Sequence, residues 1–158
     1  MLSCWRVCPA RRARTAFDGD GARLYGGRWN PKGHRIVYCA SSLSLATLEA
    51  FVHFDASTSP VVEQVSIRVT LDDEVIRVER VNPAKLPDDW RTYPAPVVLA
   101  DIGAEWLQSK RTVALLVPSA VTPIEDNVLL NPEHPDMAKV VIGAPEPFAF
   151  DPRMYKPK

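Results

Sequence analysis

The sequence predicts an α+β domain with a mixed or antiparallel sheet and few helices, and three observations carry that prediction. Short β-branched runs recur along the chain, only two segments hold helical spacing long enough to matter, and 15 prolines among 158 residues confine regular structure to short pieces. A chain of this length with 46% apolar residues has enough material for one core, so residues 1–158 are read as a single compact domain.

Taken in order, Cys4 to Val7 reads as a short opening strand. Pro9 and the run Asp18-Gly19-Asp20-Gly21 then begin a long loop that continues through Gly26-Gly27 to Gly33 and holds five of the chain's seven glycines. Phe17, Tyr25 and Trp29 supply rings that can anchor it, which favours an ordered and functional loop. Ile36 to Cys39 is a β-branched and aromatic strand, and Ser41-Ser42 offers an N-cap to a helix from Leu43 to Phe54. On that helix Leu45, Leu48 and Val52 form an apolar stripe, with Glu49 about 40° beyond Leu45. A carboxylate therefore borders the buried face. Val65, Ile67 and Val69 alternate with polar residues, and Val75 to Val78 follows the acidic turn Asp72-Asp73-Glu74, giving two further strands. After the proline-rich connection around Trp90, Val97 to Gln108 reads as a second helix with Val98, Ile102, Glu105 and Trp106 at helical spacing. Thr112 to Val117, Val128 to Leu130 and Val140 to Ile142 are the remaining strands, separated by Pro118, Pro123, Pro132 and Pro135.

Composition excludes several functions. Nineteen basic against 19 acidic residues argue against a generally basic nucleic-acid coat or a binder of anionic membranes. No run approaches the ~18 apolar residues of a membrane helix, and the opening MLSCWRVCPARRAR lacks the apolar segment of a signal peptide, so a cytoplasmic address is expected. Cys4, Cys8 and Cys39 read as free thiols, and with His34, His53 and His134 scattered singly, no metal site is expected. The zero total is unevenly distributed. Residues 1–35 carry eight Lys or Arg against two Asp, a balance of +6, and the remainder carries −6. A basic quarter of this kind suits a ligand with phosphates, or is a solvated arginine-rich loop.

The glycine-rich loop is not a known phosphate cradle. Leu24 stands where a dinucleotide fold needs its third glycine, and no Gly-Lys-Ser or Gly-Lys-Thr occurs. What it offers is Gly26-Gly27-Arg28-Trp29-Asn30, flexible backbone followed by a guanidinium, an indole and an amide. That set fits a nucleotide with phosphates; it equally fits a tight turn with Trp29 packed as core.

The run Gly21 to Asn30, then Ile36-Val37-Tyr38-Cys39-Ala40, then Leu45-Ala46-Thr47-Leu48-Glu49 closely resembles the RES domain family, toxins of bacterial toxin–antitoxin pairs. Val117-Pro118-Ser119 resembles the family's serine motif, and Asn127, Asn131-Pro132, His134-Pro135 and Phe150-Asp151-Pro152-Arg153 its closing signature. The resemblance covers nearly the whole chain. It implies a fold related to ADP-ribosyltransferase toxins, consumption of NAD as substrate, and a cognate antitoxin of the Xre-like, helix-turn-helix type that covers the active site in a hetero-oligomer. It also implies catalytic roles for Arg28, Tyr38, Glu49 and Ser119, and NAD contacts from Arg6, Arg28, Trp29, Asn30, Tyr38 and Ser119. Arg11 and Arg12 compete with Arg6 for the place of the family's early arginine.

The chemistry is consistent with those residues. Nicotinamide leaves NAD as a neutral base and needs no general acid, whereas the ribose gains positive charge that a fixed carboxylate stabilises. Glu49 is the candidate for that carboxylate, Arg6 and Arg28 for a pyrophosphate clamp, Tyr38 for orienting the nicotinamide, and Ser119 for a hydrogen bond to the ribose or the amide. Structural alternatives stand beside each: Glu49 as a salt-bridged helix residue, Tyr38 as a core ring, Ser119 as a turn residue. The acceptor is open between water, phosphate and a protein side chain, the last making an ADP-ribosyltransferase. Two other readings are an RNA-directed toxin that stacks bases on Phe17, Tyr25 and Trp29, and a non-catalytic interaction module.

Overall fold

The computed structural model describes residues 1–54 and 62–155. Strand β1 (Leu2–Pro9) is longer than its apolar centre because it pairs antiparallel with β3 (Gln64–Leu71) at eight consecutive positions, from Leu2 opposite Leu71 to Pro9 opposite Gln64. On its other side β1 meets β2 (Val37–Ala40) at Trp5 opposite Ala40. The remaining strands are β4 (Val78–Arg80), β5 (Ala114–Pro118), β6 (Asp126–Leu130), β7 (Val141–Ile142) and β8 (Glu146–Phe148). Their order is β4-β5-β6-β2-β1-β3-β7, with β8 also on β3. Pairing is antiparallel except between β4 and β5, so the sheet is mixed, as the sequence predicts.

Alternation along β2 and β6 sends side chains to opposite faces, and both faces are covered. Val37, Cys39, Val128 and Leu130 pack with Cys4, Val69 and Leu71 on one side. Tyr38 and Leu129 pack with Trp29, Leu99 and Trp106 on the other. Cys4, Cys8 and Cys39 are free and buried.

Several expectations shift. The segment read as one long loop holds a 3-10 turn (Ala10–Thr15) and a short helix α1 (Asp20–Tyr25) between Gly19 and Gly26. The Asp18 carboxylate accepts the Asp20 N–H at 2.8 Å, and Asp20 in the first turn bonds Arg23 at 2.8 Å, which offsets the weak propensity of a glycine-rich sequence. Helix α2 spans Leu43–Val52, two residues shorter than predicted, with Ser42 Oγ accepting the Leu45 N–H at 3.0 Å. Its buried residues are Leu45 and Ala46, which sit on Trp5, Val7 and Ala40; Leu48 and Val52 of the predicted stripe are 37% and 60% exposed. Glu49 lies about 40° from Leu45 and 60° from Ala46, near the middle of the sheet-facing arc. Between Leu45 and Ala46 the helix turns Glu49, and not Leu48, toward the sheet.

Val75 and Ile76 belong to the turn that closes on the Asp72 carbonyl, so β4 starts only at Val78. Helix α3 (Val97–Ser109) is one residue longer than predicted and buries Leu99, Gly103, Trp106 and Leu107, whereas Val98 is exposed. Strand β8 was not anticipated: it contains Pro147, tolerated because the strand lies at an edge. No helix among the described residues is long and apolar enough to cross a membrane.

Gly103 is the contact through which α3 supports the loop before β2. A Cβ there would overlap the Trp29 carbonyl oxygen, a backbone atom held in the core. Gly103→Ala should therefore separate α3 from Trp29 and destabilise the fold by about 1–3 kcal/mol, read as a lower denaturant midpoint at unchanged slope.

Candidate functional site

The site is built where α2 faces the ends of β5 and β6. Glu49 Oε1 accepts two short hydrogen bonds, from Ser119 Oγ at 2.7 Å and from Asn127 Nδ2 at 2.7 Å. Ser119 is fully buried after Pro118, and its oxygen also accepts the N–H groups of Val121 at 3.1 Å and Thr122 at 3.2 Å. The turn that follows β5 thus aims the hydroxyl hydrogen at the carboxylate. Both donors act on one oxygen. Among the described residues, no hydrogen bond reaches Oε2.

Arg6 on β1 reaches across to β2, donating from Nη1 to the Tyr38 carbonyl at 2.8 Å, and its buried Nε has no partner among the described residues. Arg28 donates from Nη1 to the carbonyls of Trp90 at 2.8 Å and Thr92 at 3.0 Å, tying the loop before β2 to the segment before α3. Burial pulls its guanidinium below the ordinary arginine value, while the nearby Glu49 and Tyr38 act in the opposite sense. Arg6 and Arg28 are therefore spent on neutral carbonyls. Arg23 and Arg35 instead bridge carboxylates, with Asp20 at 2.7 and 3.4 Å respectively. Among the described residues neither Arg6 nor Arg28 forms a salt bridge, and Glu49 acts on Arg28 only from a distance.

Tyr38 links the site to the glycine-rich loop. Its hydroxyl donates to Asn30 Oδ1 at 2.6 Å and accepts the Trp29 N–H at 3.1 Å. Gly27 permits that approach, since a Cβ there would stand 2.7 Å from the Tyr38 oxygen. Burial pushes the phenol well above its ordinary value, against the Trp29 N–H and Arg28, which pull it down.

A cleft of about 200 Å³ gathers most of these groups: Arg6, Tyr38, Glu49, His53 and Asn127 line it, with Trp5 as its aromatic wall. Trp29 and Asn30, expected to contact the substrate, are placed otherwise. Each is 1% exposed; the indole is core, and the Asn30 amide spends its donors on the Ala22, Pro31 and His34 carbonyls. Ser119 likewise meets Glu49 instead of open space. The larger depression of the molecule, about 710 Å³ beside β4, holds none of the predicted residues, and its Arg111 is already bridged to Glu79 at 2.9 Å and to Glu105 at 2.7 Å. The RNA-stacking arrangement fails on geometry, because Trp29 is buried and Phe17 packs against the core, leaving Tyr25 alone at the surface.

Asn127 was quoted only as part of a closing signature, and its role beside Glu49 had no local signal. The register between β2 and β6 places it opposite Ala40, against which α2 packs, and that pairing is invisible in the sequence.

Known proteins share this chain's sequence and fold. The RES domain family model matches residues 3–151. Among curated relatives, "Toxin Res" of Yersinia enterocolitica is 42% identical over 154 residues, spanning 97% of this chain and 99% of that protein. "Prs ADP-ribosylating toxin" of Sphingobium sp. is 40% identical over 157 residues, spanning 98% and 97%. A solved structure titled as the M. tuberculosis MbcT-MbcA toxin-antitoxin complex contains a chain that superposes with a TM-score of 0.74 at 19% identity, covering 92% of this chain and 83% of its own. That likeness shows the fold.

Tyr38→Phe leaves the Asn30 acceptor and the Trp29 N–H without their partner and should cost about 1–3 kcal/mol near neutral pH. The tyrosine's raised value also has a sign. Its neutral form is the one that the fold favours, so its contribution is complete below the unfolded value of about 10 and is lost as pH rises above it. Alkaline unfolding followed by fluorescence should show this loss in the parent protein, and a shallower loss in Tyr38→Phe.

Proposed function

The chain belongs to the RES domain family, and on that footing we propose that it is the toxin of a toxin–antitoxin pair and that it breaks the nicotinamide–ribose bond of NAD. The observation that carries this reading is Glu49, fixed through Oε1 by two donors while Oε2 accepts no hydrogen bond from the described residues, beside a cleft that Arg6 and Tyr38 also line. Bond cleavage sends the electron pair to the pyridinium nitrogen and releases neutral nicotinamide. Positive charge then grows at the ribose, where a carboxylate already held in place stabilises it without reorganisation.

The cleft is smaller than the roughly 300–1,000 Å³ of most small-molecule pockets. It suits one ring and its sugar, so the rest of a dinucleotide lies over the rim. Arg6 and Arg28 donate to neutral carbonyls, and exchanging those partners for phosphate oxygens of its pyrophosphate sets a negative acceptor against each guanidinium, which strengthens the bond. Tyr38 is anchored by its hydroxyl and orients the ring, and Ser119 acts on the substrate through Glu49.

The acceptor has two readings. Water or phosphate at the ribose carbon gives an NAD glycohydrolase or phosphorylase, which depletes the dinucleotide. Transfer of ADP-ribose to a protein is favoured by the relative named "Prs ADP-ribosylating toxin". A covering antitoxin accords with the solved toxin-antitoxin complex of the same fold and with Leu48 and Val52, exposed on the helix that carries Glu49.

Purified protein freed of any antitoxin should release nicotinamide from NAD, and Glu49→Gln should lower that rate by about 10²-fold or more and abolish growth arrest on expression. Phosphate dependence of the release identifies a phosphorylase; label from adenylate-labelled NAD retained on protein identifies a transferase. Intact NAD under all three conditions overturns the reading.

A further inference from the structure

The amide of Asn127 stands in an unusual position for a residue on a central strand. Strand β6 is paired on both sides, with Ala40 of β2 and Val117 of β5 standing opposite Asn127. Nδ2 donates to Glu49 Oε1, while Oδ1 is buried and has no hydrogen-bond partner among the described residues. Turning the amide over would relieve nothing, because it would set the Oδ1 lone pairs against a carboxylate oxygen 2.7 Å away and leave the Nδ2 donors unpaired instead. The orientation is fixed by Glu49. A buried acceptor without a partner lowers stability, and an apolar side chain of similar shape would avoid that loss.

We infer that Asn127 is a positioning residue for Glu49, kept for the reaction at a cost to the fold. It acts with Ser119. The two donors reach Oε1 from different strands, Ser119 from just beyond the end of β5 and Asn127 from β6. One hydrogen bond leaves a carboxylate free to rotate about its Cγ–Cδ bond; two donors on the same oxygen fix its plane and so the direction of Oε2. That direction is what stabilises charge at a sugar carbon, and misplacement on the scale of 1 Å is costly in rate. Arg6 Nε, the other orphan lining this cleft, shows that the site as a whole leaves polar atoms unsatisfied where an apolar lining would be more stable.

This assignment rests on the NAD-cleaving reading, and the experiment separates the two. The parent protein, Asn127→Leu and Asn127→Asp are compared for thermal midpoint and for kcat and KM in nicotinamide release from NAD. Asn127→Leu is expected to melt no lower than the parent, to keep KM within about twofold, and to lose about 10²-fold in kcat. Asn127→Asp, which opposes a second carboxylate to Glu49, should lose at least as much. A lower midpoint for Asn127→Leu together with an unchanged kcat makes Asn127 a structural residue and overturns the inference. A rise in KM at constant kcat does so too, because it gives Asn127 to ground-state binding. If the parent protein releases no nicotinamide, the functional reading itself falls and takes this assignment with it.

Discussion

A carboxylate on a helix that packs against a sheet is held only if the sheet supplies donors, and the bonds of Ser119 and Asn127 to Glu49 meet that requirement. They join α2 to β5 and β6, two strands that lie beyond β2 and far from it in sequence. The separations are 70 and 78 residues, so the site exists only once the whole central sheet has assembled. Ser119 is itself held by two backbone N–H groups, which makes the turn after β5 a fixed reference for the helix.

A second network holds the opposite wall. The Tyr38 hydroxyl joins β2 to the Trp29-Asn30 turn, and Asn30 in turn gathers the carbonyls of Ala22, Pro31 and His34. An arginine- and glycine-rich segment with few buried side chains of its own is thereby ordered by one phenol and one amide. The indole between them anchors it in the core beside Leu99 and Trp106, and Gly103 of α3 lets the backbone approach. Arg28, next in line, is consequently directed to the Trp90 and Thr92 carbonyls, and its position depends on residues that carry no chemistry.

The fold class, both long helices and the strands other than β4 and β8 were legible, because β-branched alternation and a serine N-cap are local signals, whereas the run from Val75 to Val78 is mostly turn. The inward direction of Glu49 was legible too, though for a partly mistaken reason. The stripe of Leu45, Leu48 and Val52 implied a wide apolar face, whereas the sheet accepts Leu45, Ala46 and Glu49 and leaves Leu48 and Val52 outside. Local pattern does not show where a sheet ends. For the same reason the surroundings of Trp29, Asn30 and Ser119 were not legible: their residue types suit ligand contact, and only tertiary packing shows that the indole is buried in the core, the amide clasps the loop and the hydroxyl meets a neighbouring carboxylate. Asn127 lay beyond reach because its meaning depends on register.

The arginines complete the account of charge. Sequence placed a balance of +6 in the first 35 residues and left open whether it was functional or merely solvated. The structure divides it. Arg23 and Arg35 are consumed by Asp20, so they serve the short helix and its surroundings. Arg6 and Arg28 are oriented by carbonyl oxygens, which fix a guanidinium in space without cancelling its charge. A carboxylate partner would have held them as firmly and made them useless to an anion. Neutral acceptors around two arginines, and neutral donors around Glu49, follow one rule: a charged side chain positioned by dipoles keeps its own charge available.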